Sequence, residues 1–296
     1  MADALGRAER VRNRVREAWA FRGRLRRLER LPFEEPRREV PRADVIVSIT
    51  SHRPRLASLG IALRSLLDQS RPPERVVLWV PADDGAHLPG DVLELAGFRL
   101  EIRTMLRDLG SAGKLLPTLL AYPGRNVVTA DDDVIYARHW LRDLLKTHEC
   151  WPRAIVCARA HYLEFDPIGN LLPYLDWQWD TNRTGPDSRL FFTGHGGVLY
   201  PAGSLPETVH DDITRRSLCP DADDVWFNWM ARLAGTPIVR TPGAAPRHNH
   251  VPLSQGTTLM TRNVAGGGND AQIRSLVARY GALDRDTGAL RPDGAE

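Results

Sequence analysis

Five apolar runs, spaced so that helical segments fit between them, constrain this chain more than any other feature. Val45-Ile46-Val47-Ser48-Ile49-Thr50 is a dense apolar strand, closed by the turn Ser51-His52-Arg53-Pro54. Leu59, Leu63, Leu66 and Leu67 then fall on one face of a helix over 56–67. A second strand follows over 75–80, a third and shorter one over 98–103, a fourth over 127–131 and a fifth over 154–158. Strands alternating with helices across short connections predict an α/β chain with a mostly parallel central sheet flanked by helices.

The fourth run is unusual in how it ends. Val127 and Val128 lead into Asp131-Asp132-Asp133. If the strand continues through the triplet, Asp131 and Asp133 point one way and Asp132 the other. Three carboxylates at one strand end repel unless something positive sits among them, and a hard divalent cation with oxygen ligands is the economical candidate. The carboxyl end of a strand is also where α/β proteins bind ligands. The plainer alternative is an acidic turn into a helix starting near Tyr136, with one Asp as its N-cap.

Composition excludes several classes. The 296 residues suffice for one large or two small α/β domains, and the net charge of +3 does not demand a nucleic-acid partner. Without a run of 18 apolar residues there is no spanning helix to expect, and the N-terminus lacks the apolar centre of a signal peptide. Cys150, Cys157 and Cys219 have no paired metal spacing and read as reduced, mostly buried thiols of a cytoplasmic protein. Among 40 basic residues only Lys114 and Lys146 are lysine, so an ammonium at Lys114, just ahead of the aspartate strand, reads as wanted there. A phosphate or a base edge is its expected partner. Neither G-x-G-x-x-G nor G-x-x-x-x-G-K-[ST] occurs. Phosphate would therefore be held through a metal and basic side chains.

The flanks read differently. Residues 1–30 carry ten Arg against four acids, and Val11, Val15 and Trp19 follow a four-residue spacing. This basic amphipathic helix could lie on an anionic membrane surface, as a peripheral contact on its inner face, or pack on the domain or another subunit. Pro32 and Glu34-Glu35-Pro36 mark a linker, so 1–42 is an extension, 43–283 the domain and 284–296 a frayed tail.

Further candidates lie in the second half. Trp177, within Asp176-Trp177-Gln178-Trp179-Asp180, could stack on a sugar ring or belong to the core. Gly194, Gly196 and Gly197 around His195 indicate close backbone approach to a ligand or tight packing at a sheet edge. Asp223 and Asp224 head a helix through Trp226, Phe227, Met230 and Leu233; one is expected to cap it, the other to serve as a general base. His248 and His250 stand two apart, as ligands of a metal or phosphate. Gly266-Gly267-Gly268-Asn269-Asp270 reads as a hinge and lid before a helix over 271–280.

Taken in order, Thr-Ser-x-Arg after the first strand, Gly-x-x-x-Lys-Leu, Asp-Asp-Asp, Gly-x-Gly-Gly-Val-Leu-Tyr-Pro and Cys-Pro-x-Ala-Asp-Asp-x-Trp-Phe resemble the GT-A-fold glycosyltransferases with their DXD metal motif. The branch that builds bacterial capsule, O-antigen or exopolysaccharide is the most similar, over residues 44–281. The resemblance implies a GT-A, Rossmann-like sheet. It implies that Thr50, Ser51, Arg53 and Lys114 embrace the nucleotide of a nucleotide-sugar donor, with Asp131 and Asp132 on ribose or sugar. Asp133, with Asp131 nearby, would hold Mn²⁺ or Mg²⁺, and His248 or His250 would complete the metal or diphosphate shell. Asp224, or Asp223 beside it, takes the place of the base in inverting members. The loop Gly194–Gly197 falls on the acceptor side. A UDP-linked donor is expected, carrying galactose as pyranose or furanose, and the acceptor is a glycan or lipid-linked glycan. A sugar-nucleotide nucleotidyltransferase, or a non-catalytic carbohydrate-binding relative, are the competing readings.

Overall fold

The computed structural model describes residues 19, 21–31, 41–97, 99–243, 249–251 and 261–291. Its centre is a seven-stranded sheet. The strands of the chain are β1 (Ala43–Thr50), β2 (Pro73–Pro81), β3 (Leu100–Met105), β4 (Val127–Ala130), β5 (Val134–Ile135), β6 (Ile155–Cys157), β7 (Ala160–Tyr162), β8 (Leu190–Phe192), β9 (Val198–Tyr200), β10 (Ile238–Arg240) and β11 (Asn249–His250). The central order is β10-β6-β9-β4-β1-β2-β3. Only β9 runs against its neighbours there; the pairings β10–β6, β4–β1, β1–β2 and β2–β3 are parallel. Two small antiparallel ribbons, β7–β8 and β5–β11, stand outside the main sheet.

The described helices are α1 (21–30), α2 (Leu56–Leu67), α3 (Ala82–Gly85), α4 (Gly90–Leu93), α5 (Leu116–Ala121), α6 (Trp140–Cys150), α7 (Asp212–Leu218), α8 (Asp223–Leu233) and α9 (Gly268–Tyr280). Alternation along β1 decides how they are shared. Val45, Val47 and Ile49 face one core with Leu59, Leu63 and Leu66 of α2 and Leu141, Leu144 and Leu145 of α6. Ile46 faces the other side with Val77, Trp79 and Met105. On that second side, farther along the sheet, Trp226, Trp229 and Met230 of α8 and Leu276 of α9 pack on Val127, Ile155 and Val198. The expected α/β architecture, a mostly parallel sheet between helical layers, is therefore present.

Several local expectations change. The helix after the aspartates begins at Trp140, not near Tyr136, because Val134 and Ile135 are drawn off as β5 to pair with β11. Gly268, Asn269 and Asp270 form the first turn of α9, with Asn269 buried and Asp270 accepting the Tyr174 amide at 2.7 Å, so this stretch is helix start and not lid. Residues 284–291 do not fray. Leu283 bridges to Leu290, Asp284 holds the Thr287 hydroxyl at 2.8 Å, and Gly288 accepts from buried Arg232 of α8.

α1 lies against the domain, but with a different face than the Val11–Val15–Trp19 spacing implies. Leu28 is fully buried beside Ala62, Ile135 and Val251, with Phe21 and Leu25 next to it, whereas Trp19 is 69% exposed. Val11 and Val15 lie outside the described residues. Among the described residues no helix is long and apolar enough to cross a membrane.

Candidate active site

The chain leaves β1 toward β2 on one side and returns from β3 to β4 on the other. The carboxyl ends of β1 and β4 therefore flank a topological switch point, where a crevice opens in sheets of this kind. Ser51 follows β1 and Asp131-Asp132-Asp133 follow β4. The Ser51 hydroxyl donates to Asp132 Oδ2 at 2.6 Å and ties the two ends together.

Because β4 ends at Ala130, the alternation expected through the triplet does not apply. Asp132 and Asp133 share one partner, the Arg55 guanidinium, at 2.7 and 3.2 Å. Asp131 lies elsewhere, 3.0 Å from Lys114 Nζ, and its backbone amide donates to the Tyr136 hydroxyl at 2.8 Å. Burial pushes the Asp132 carboxyl upward, with Asp133 adding to the shift and Arg55 and Ser51 opposing it.

Lys114 is only 7% exposed and joins the two acidic clusters. Its ammonium sits 3.3 Å from Asp223 Oδ2 as well as against Asp131. Burial alone would lower its pKa, yet Asp131, Asp223 and Asp224 together hold it well above the ordinary lysine value. In this arrangement the charge is spent on three carboxylates, not presented to a base edge.

Neither Asp223 nor Asp224 caps α8. The helix has Ala222 at its N-cap without a side-chain cap, and Gln272 Oε1 accepts the Asp221 and Ala222 amides instead. Asp223 is committed to Lys114. Asp224 Oδ1 accepts the Gly194 amide at 2.8 Å and retains some accessible surface. Burial, reinforced by Asp223, pushes the Asp224 carboxyl up to about 7 against the pull of Lys114 and the Gly194 amide.

The glycine loop explains itself by proximity. A Cβ at Gly194 would stand 2.7 Å from Asp224 Oδ1 and 2.9 Å from Lys114 Nζ. At Gly197, with φ of +94°, it would stand 2.4 Å from Trp140 Cζ2. Trp140 Nε1 in turn donates to Gly196 O at 2.6 Å. The close approach seen is thus to protein groups, and it packs Asp224 against the backbone. His195 Nδ1 is 3.7 Å from Asp131 Oδ2, and its ring stacks on His250 at 5.3 Å. Burial draws the His195 pKa down against the attraction of Asp131.

His250 reaches the site because β11 pairs with β5, and the next amide, Val251, donates to Asp133 O at 2.8 Å. His248 lies outside the described residues. Among the described residues no group of three or more His, Cys, Asp or Glu is gathered as a metal cage. Arg55 and Lys114 offset only part of the triplet's charge, since Lys114 also serves Asp223. The donor chemistry that remains, carboxylates of Asp131 and Asp133 beside an imidazole, still suits a hard cation that takes its other ligands from substrate phosphate and water.

Thr50 donates its hydroxyl to Trp79 O at 3.1 Å, and Arg53 donates its amide to Asp84 Oδ2 at 2.9 Å. Trp177 is a correction. It is 3% exposed, donates Nε1 to Leu172 O and packs on Tyr174 and Phe191, so it belongs to the core and not to an acceptor surface.

Three residues passed unnoticed in the sequence. Arg55 had one signal, a cation at the start of α2, where the helix dipole disfavours it unless carboxylates compensate. Tyr136 and Asn228 had none. Asn228 Nδ2 donates to Phe192 O and Asp224 O, both at 2.8 Å, and so fastens β8 to the start of α8.

No family model matches this chain, and no curated protein matches it. Among solved structures it is similar to TarS 1–349 of S. aureus, with 13% identity and a TM-score of 0.45 over 70% of this chain; it spans 59% of the length of that TarS chain. It is also similar to the mannosyltransferase PcManGT of Pyrobaculum calidifontis in complex with GDP-Man and Mn²⁺, with 15% identity and a TM-score of 0.46, covering 88% of this chain and 81% of that one. Both similarities fall below a TM-score of 0.5, and the function proposed for this chain rests on the residues of its own site.

Proposed function

We propose that this chain is a GT-A-type glycosyltransferase that moves a hexose from a nucleotide-sugar donor, UDP-linked, to a hydroxyl of a glycan or lipid-linked acceptor, with inversion. One observation carries the reading. At the switch point of the sheet, a buried lysine joins Asp131 after β4 to the pair heading α8, and burial with Asp223 beside it pushes Asp224 of that pair up to about 7. A carboxylate tuned to neutrality at the switch point of the sheet is the equipment of a general base.

The protein's own work follows from that geometry. The Gly194 amide holds Oδ1 of Asp224, and the nearby Lys114 attracts the same carboxylate. Asp224 removes the proton from the acceptor hydroxyl. The oxygen then attacks the anomeric carbon from the face opposite the diphosphate, the bond to the diphosphate breaks, and the configuration inverts. Asp223 is the poorer base because its carboxylate is buried on Lys114. Asp133 and Asp131, with His250, would hold Mn²⁺ or Mg²⁺, whose chemistry is to stabilise charge developing on the departing diphosphate. Thr50, Ser51 and Arg53 line the nucleotide side of the crevice.

Thermal shift tests the reading first. UDP at about 100 times its dissociation constant adds roughly 2.7 kcal/mol, or several degrees at about 2–4 °C per kcal/mol. The shift should require Mn²⁺ and vanish in Asp133→Asn. A shift with GDP, CMP or dTDP in place of UDP would move the donor; silence from all of them would overturn the transferase reading.

A further inference from the structure

α1 has two faces, and the domain uses one. Leu28 is buried against Ile135 and Val251, Arg24 is ion-paired with Asp68 and donates to Tyr136 O at 3.4 Å, and Arg27 reaches Asp68 at 3.1 Å. The outward face carries Arg22, Arg26 and Arg30, all exposed, and Trp19 ahead of the helix is exposed too. At about 100° per residue the three Arg fall within an arc of roughly 80°, with Glu29 at its edge. The eighteen residues before Trp19 add five more Arg against three acids.

We propose that this outward face docks on an anionic lipid surface. Guanidinium groups in one row suit the phosphates of such a surface, each adding about fivefold to partitioning. An exposed Trp at the end of the row has the amphipathic ring that settles at headgroup depth. The apolar face of the helix is already consumed by the domain, so the contact is electrostatic with one aromatic anchor, reversible and weakened by salt. A nucleic acid fits less well, because the described row of Arg is only one helix wide. The inner face packs on the β5–β11 ribbon, which carries His250 and follows Asp133. Docking therefore holds that ribbon about one helix diameter from the lipid surface, within reach of a lipid-linked acceptor. That consequence rests on the transferase reading; the docking itself does not.

The test uses the full chain and phosphatidylcholine vesicles with or without phosphatidylglycerol, read by flotation. Wild type should float with the anionic vesicles only, and less so as salt rises. Arg22→Gln/Arg26→Gln/Arg30→Gln should bind roughly a hundredfold more weakly, with an unchanged Tm and an unchanged shift with UDP and Mn²⁺. Absence of wild-type binding, undiminished binding by the triple variant, or tighter binding to an oligonucleotide than to anionic vesicles would each overturn the docking. Vesicle binding in a protein that no nucleotide stabilises would support the docking and sink the transferase reading alone.

Discussion

Lys114 Nζ lies 3.0 Å from Asp131 Oδ1 and 3.3 Å from Asp223 Oδ2, so a single buried ammonium spans the gap between the end of β4 and the start of α8. Removing it leaves carboxylates facing one another in a largely buried cluster. Breaking a buried pair by deleting one partner typically costs about 3–5 kcal/mol. Lys114→Met should therefore lower Tm on the order of 6–20 °C. Lys114→Arg should recover little, since a planar fork does not fit where a compact ammonium sits against the Cα of Gly194. Calorimetry of the two variants checks both statements.

The pH dependence of Asp224 has a definite sign. Its folded pKa, about 7, stands above that of an ordinary carboxyl, so the folded state holds the proton more tightly than the unfolded chain does. Its contribution to stability is fully present below the unfolded value and falls as pH rises toward about 7. Asp224→Asn should flatten that decline in urea midpoints measured from pH 4.5 to 8. In the transferase, kcat/KM should rise with pH through the same region and level off, and the variant should lose about 10²–10⁴-fold in turnover while still binding nucleotide. Near-normal turnover in Asp224→Asn would refute the base assignment.

Gly194→Ala and Gly197→Ala should fail in different ways. The first places a methyl 2.7 Å from Asp224 Oδ1, at the far end of a side chain that can move. We expect a modest change in Tm and a loss of kcat of about 10²-fold, the usual cost of a misplacement near 1 Å. The second drives a methyl into the Trp140 ring at a left-handed backbone position, and should destabilise the fold by about 1–3 kcal/mol. Paired kinetics and melting curves separate the two.

Asn228 should behave as a positioning residue. Asn228→Ala removes side-chain hydrogen bonds to Phe192 O and Asp224 O inside the core, at about 0.5–1.5 kcal/mol each. Because β8 leads into Gly194, slackening this tie should also displace the acid limb of the kcat/KM profile, which Asp224 sets. A purely structural role would lower Tm and leave that profile unmoved.

The Arg55 guanidinium bridges Asp132 and Asp133. Arg55→Gln should be less stable than wild type in chelator and should regain part of the difference in millimolar Mn²⁺ or Mg²⁺. Equal destabilisation with and without the ions would argue against a divalent site at Asp133.

The scaffold was legible because it depends on local signals. Dense apolar runs such as Val45–Thr50 separated by a helix-period stripe such as Leu59, Leu63 and Leu66 leave few alternatives to a covered sheet. Segment ends were less legible, because β5 exists only through its pairing with β11, more than a hundred residues away. Within the candidate site, the acidic residues stood out by composition, and Lys114 by its rarity. Their partnerships did not, since a short-range pattern says nothing of which charge meets which.

By itself the sequence determined the α/β layering, the placement of three aspartates at the end of β4 and a second acidic pair at the head of α8. Only the tertiary structure decided that Lys114 binds both clusters, that Arg55 pairs with Asp132 and Asp133, and that Asp224 takes the Gly194 amide while Asp223 pairs with Lys114. It also sent Trp177 into the core and turned Trp19 outward. The physical reason is range. Periodicity and turn chemistry act over a few residues and are written locally, whereas burial and charge pairing depend on which distant elements the fold brings within a few ångströms.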